Sequence, residues 1–160
     1  MSINILNNVK KILHKQFFDI AKHVYTQLGA GHSEYIYHRA MEIELRNNNI
    51  SYEFEKRVSI IYKDTKGNIN TLADERIDLF IHKYINKYNN IILESNYDII
   101  IELKAVINEP KELEINQLYK YKKQLNNVKV FPKYGILINF PQPGAKPARE
   151  EIDFEEFCFT

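Results

Sequence analysis

The chain has 160 residues, 44% of them hydrophobic and 27% charged, with a formal net charge of +1 at pH 7. Those are the proportions of one ordinary globular domain with a real core, and they exclude an overall positive field, so any phosphate-binding surface is a local patch. The single cysteine, Cys158, excludes an internal disulfide and a thiolate zinc site, and fits a reducing compartment.

The first elements are helical. Residues 4–28 carry Ile5, Leu6, Val9, Ile12 and Leu13 at helical spacing, continued by Phe17, Ile20, Ala21 and Val24, which predicts one amphipathic helix. This stretch lacks the unbroken apolar run of a signal peptide, and no segment reaches transmembrane length. An intracellular protein with no membrane partner is expected, and the abundance of Asn, Ile, Lys and Tyr suggests an AT-rich genome. Gly29-Ala30-Gly31 breaks the helix. Ser33 caps a second one to about Asn47, with Ile36, Ala40 and Ile43 beside Tyr37, Met41 and Leu45 as its apolar side.

Strands follow. Tyr52 to Tyr62 is rich in β-branched and aromatic residues, and Lys66-Gly67-Asn68 is a turn signal. From Glu75 to His82, Ile77, Leu79 and Ile81 alternate with Arg76, Asp78, Phe80 and His82. Residues 83–96 are polar and Asn-rich and read as an insertion or a long hairpin. In the strand from Asp98 to Val106, Ile99, Ile101, Leu103 and Ala105 share one face, and Ile100, Glu102, Lys104 and Val106 the other. A helix from Lys111 to about Leu125 and a strand from Tyr134 to Phe140 complete residues 1–140, which are expected to be a single domain. Residues 141–160 read as a proline-containing loop and an acidic-aromatic tail. The order α-α-β-β-β-α-β implies a mixed sheet flanked by helices.

The chemistry gathers on two strands. Glu102 and Lys104 stand two apart on one face, and Asp78 interrupts an apolar run on the preceding strand. If the strands pair, the two acids converge as hard oxygen ligands for Mg²⁺, and Lys104 fits beside them as the group that orients water or offsets phosphate charge. A cross-strand ion pair between Lys104 and Asp78 is the plain alternative. Glu34 opens the second helix, where the helix dipole alone accounts for a carboxylate. Gln117 and Tyr121, one turn apart with Lys120 and Gln124 nearby, read equally as a polar helix face.

The segment from Gly29 to Tyr37 resembles the signature of the GxxExxY proteins through Gly31, Glu34 and Tyr37. The resemblance continues through Arg76-Ile77-Asp78-Leu79, Ile101-Glu102-Leu103-Lys104-Ala105-Val106, Gln117 with Tyr121, and Gly135 to Phe140. Those proteins are small members of the PD-(D/E)XK nuclease superfamily. No proline precedes Asp78, and residues 83–96 are longer than expected between the two acidic strands.

The resemblance implies a restriction-endonuclease-like α/β core. It implies a catalytic set of Glu34, Asp78, Glu102, Lys104 and Gln117, with Asp78, Glu102 and Glu34 on Mg²⁺ or Mn²⁺, Glu34 directly or through water. Tyr121, Lys120 and Lys123 are candidate substrate contacts, within a wider lysine patch that includes Lys122, Lys129 and Lys133. The expected activity is metal-dependent phosphodiester hydrolysis, of DNA before RNA. The rival expectations are a non-hydrolytic nucleic-acid-binding module and an assembly protein. A homodimer is compatible with so small a domain. Phe154, Phe157 and Phe159 in the tail either dock on a partner or, the preferred reading, pack back on their own domain.

Overall fold

The computed structural model describes residues 11–159. Three helices, α1 (Lys15–Leu28), α2 (Glu34–Asn47) and α3 (Glu112–Asn127), accompany five strands. These are β1 (Tyr52–Lys63), β2 (Ile69–Tyr88), β3 (Ile91–Lys104), β4 (Tyr134–Asn139) and β5 (Asp153–Cys158), and they form one sheet in sequence order. β1–β2, β2–β3 and β4–β5 are antiparallel, whereas β3 and β4 are parallel and joined through α3. That crossover makes the sheet mixed.

Hydrophobic burial on both faces of the sheet places β3 at the centre. Ile99, Ile101 and Leu103 join Leu79, Ile81, Ile136 and Ile138 in a core covered by Phe17, Val24, Tyr37, Met41 and Leu45 of α1 and α2. Ile100 faces the other way, into a second core with Phe80, Leu137 and Leu118, Tyr121 and Leu125 of α3. Ile77 also belongs to this second core, so it does not follow the alternation expected of β2. A strand read as one apolar and one polar face is in fact buried on both.

Several boundaries differ from expectation. α1 begins at Lys15, because Leu13 and His14 are held in another arrangement: both backbone N–H groups donate to the Glu156 carboxylate. Ile5, Leu6 and Val9 lie outside the described residues. On α2 the buried stripe is Tyr37, His38, Met41, Glu42 and Leu45, while Ile36 and Ile43 face solvent. Ser33 occupies the N-cap position but makes no side-chain cap bond. Residues 83–96 are the continuation of β2 and β3 into a hairpin, turned at Asn89 and Asn90 with φ of 48° and 65°. Asparagine tolerates that left-handed turn geometry.

The segment expected as a tail includes an edge strand. β5 pairs with β4 from Tyr134↔Cys158 to Asn139↔Asp153, and Phe154 and Phe157 pack on opposite sides of the sheet. Among the described residues no helix is long and apolar enough to cross a membrane.

Candidate active site

The carboxylates stand at a fork in the sheet. The β2–β3 ladder runs as far as Leu79↔Ile101, whereas β2 continues to pair with β1 through Ile77↔Lys56 and Arg76↔Arg57. One step beyond the last β2–β3 pair, Asp78 and Glu102 face each other across the opening. Their side chains take over the backbone donors that the ladder leaves unpaired. Asp78 N–H donates to Glu102 Oε1 at 3.2 Å, and Leu103 N–H donates to Asp78 Oδ2 at 2.8 Å. Each acid is thereby held by the strand that carries the other.

Burial makes the pair electrostatically costly. Glu102 is 2% exposed, and exclusion of water, then repulsion from Asp78, pushes its carboxyl up to about 9. Asp78 is also raised by burial, with the Leu103 N–H, His38 and Lys104 acting in the opposite direction. Lys104 lies at the edge of the pair, its Nζ 4.0 Å from Glu102 Oε2. The acid next to Lys104 is therefore its strand neighbour Glu102, in place of the cross-strand pair with Asp78.

Glu34 reaches this group from α2. Its carboxyl is raised by partial desolvation and then by Asp78, and is lowered by Lys104, which places it within electrostatic range of both. It remains exposed and does not close a three-acid cage. Among the described residues no three His, Cys, Asp or Glu side chains are arranged to hold an ion between them. The donor set that fits a divalent cation is the pair Asp78 and Glu102: two adjacent hard carboxylate oxygens, short of compensating positive charge.

The loop that aims Glu34 is fastened by Tyr37. Its hydroxyl donates to Gly29 O at 2.7 Å and accepts from Gln142 Nε2 at 3.1 Å, and its ring stacks on Phe140 with centroids 4.5 Å apart. Gly31, at φ 102°, donates its N–H to Gln142 Oε1 at 2.9 Å. Gln142 follows β4 in the proline-rich loop, where no local sequence signal marks it. Tyr37 therefore lies in the core and does not line the site.

On α3, Gln117 Nε2 donates to the Tyr121 hydroxyl at 2.7 Å, and that hydroxyl donates to Arg76 O at 3.1 Å. Tyr121 is 2% exposed, so its ring belongs to the core and its polar atom is consumed. Lys120 pairs with Glu75 at 2.6 Å, Lys133 with Glu94, and Lys122 lies over the Phe159 ring. Lys123 is exposed. Sequence reasoning also missed His38, one turn beyond Glu34 and buried, because a histidine on a helix carries no signal of its own.

A family model described as the PD-(D/E)XK nuclease superfamily matches residues 11–152. The chain belongs to that superfamily. The mixed five-stranded sheet flanked by helices is consistent with the superfamily's fold, and its members are generally hydrolases that use divalent metals. The match spans the fork and all of the residues around it. A solved structure titled "Crystal structure of SSO0001" is similar at 22% identity, over 98% of this chain and 72% of that one, with a TM-score of 0.41. No match was found among the curated proteins.

Proposed function

We propose that the chain is a nuclease of the GxxExxY type that hydrolyses phosphodiester bonds, DNA in preference to RNA, with Mg²⁺ or Mn²⁺. The observation that carries this reading is the fork: Asp78 and Glu102 cross-bonded to each other's strands, with Lys104 Nζ 4.0 Å from Glu102. Asp78 and Glu102 would hold the cation, with Glu34 as a further acid beside them. A bound divalent ion supplies a lowered water pKa and neutralises phosphate charge. Lys104, outside the carboxylate pair, positions the nucleophilic water and stabilises the anionic phosphorus centre. Gln117, half-buried and fixed by Tyr121, meets the substrate backbone together with Lys123.

The reading is tested by cleavage of plasmid DNA with Mg²⁺, Mn²⁺ or chelator. Wild type is expected to cut only with metal, and D78N, E102Q and K104A to lose on the order of 10²-fold or more of the rate while still binding DNA. Binding without metal-dependent cleavage of DNA or RNA by the wild type would establish the non-hydrolytic module in its place.

A further inference from the structure

Two polar side chains are buried beside the apolar stripe of α2, and their situations differ. Glu42, 4% exposed, is fully engaged: the Tyr52 hydroxyl and Arg39 Nη1 each donate to it at 3.1 Å. His38, 5% exposed, has an interior Nε2 with no hydrogen-bond partner among the described residues. Buried polar atoms in folded proteins are nearly always paired, so an unpaired one beside a carboxylate site calls for a reason.

The position of the ring supplies one. His38 lies one helical turn from Glu34, on the same side of α2. Its imidazole packs against Phe54 with centroids 4.4 Å apart, and Phe54 is the register partner of Leu79, the neighbour of Asp78. The ring is thus wedged between α2 and the strands at the level of the fork. The electrostatic influence of His38 on Asp78, which favours the ionised carboxylate, agrees with that placement.

We propose that His38 is a positioning residue of the carboxylate site: its Nε2–H bonds to Asp78 through one water, and holds that carboxylate in the orientation that accepts a divalent cation. The role needs an N–H at Nε2 and no change of charge. It rests on the metal-dependent reading above. Partners that orient a ligating group commonly alter metal affinity by about 10- to 100-fold when removed.

The experiment is calorimetric titration of the full chain with Mn²⁺, paired with thermal melting in chelator. H38L replaces the ring by an apolar group and removes the unpaired atom. It is expected to melt at or above the wild-type temperature, yet to bind Mn²⁺ about 10-fold or more weakly. H38Q, whose amide N–H reaches the Nε2 position, is expected to bind within about threefold of wild type, whereas H38N is too short and behaves as H38L. Wild-type Mn²⁺ affinity in H38L overturns the proposal and leaves an ordinary core histidine. If H38L does not fold, equal affinities in H38Q and H38N overturn it instead. Absence of Mn²⁺ binding by the wild type sinks the metal-dependent reading and this inference together, while normal binding by the variants sinks this inference alone.

Discussion

Glu102 keeps its proton up to a pH of about 9 because water is excluded from it and Asp78 lies beside it. In the unfolded chain a glutamate titrates near pH 4.3. Between those two values the native state binds a proton that the unfolded state has lost, so the contribution of Glu102 to stability is full at low pH and declines as pH rises through the window. Asp78, raised by burial, acts in the same direction. E102Q keeps the shape and cannot ionise. In chelator at pH 8 it is expected to exceed wild type by at least about 1 kcal/mol, roughly 3 °C in melting temperature, with the gap closing near pH 4. Circular dichroism melts across that range check it, and identical curves would show a hydrated carboxyl. On the metal-dependent reading proposed above, a carboxyl that costs stability without its ligand is the ordinary compromise between function and folding.

At the scale of elements, the packing of β4 against the end of the chain is set by one missing side chain. A Cβ on Gly135 would come within 2.5 Å of the Phe159 ring, which lies over the α3-side core. Phe159 is itself anchored, its N–H donating to Lys133 O at 2.8 Å. G135A is therefore expected to cost about 1–3 kcal/mol, the usual effect of overpacking. Urea unfolding of G135A, F159A and the double variant tests the cause: the glycine substitution should add little once the ring is gone. The same scale explains the length of β2 and β3. Each pairs with different neighbours at its two ends, β2 with β1 beyond the fork and with β3 in the distal hairpin, so single-strand alternation understates both.

Across the whole molecule, Glu156 joins the start of the described chain to its end. Its carboxylate accepts from Leu13 N at 2.9 Å and His14 N at 2.7 Å, and His14 bridges Glu156 and the Tyr97 hydroxyl at 2.9 Å each. Desolvation opposes ionisation of Glu156, but the bonds from His14 and Leu13 outweigh it and lower its pKa. The sign is opposite to that of Glu102: this stabilisation is present above the unfolded value near pH 4.3 and is lost as pH falls through the depressed native one. E156Q is expected to lose about 1–3 kcal/mol at pH 7 and to converge on wild type only as pH falls through the depressed native value. Urea midpoints at pH 7 and at successively lower pH measure it.

Local information was enough for the presence of α2, β1, α3 and β4, though not for which side of α2 is buried, and it offered a long hairpin as one of two readings of residues 83–96. It was enough as well to single out Asp78, Glu102 and Lys104, because charged groups on a buried strand stand out against apolar neighbours. Contacts between distant segments decided the rest. The start of α1, the recruitment of residues 153–158 into the sheet, the anchoring of Tyr37 by Gln142 and the unpaired nitrogen of His38 depend on partners far away in the chain. Hydrogen bonds and packing at such separations leave no periodic trace in the residues themselves, so only the assembled sheet and helices reveal them.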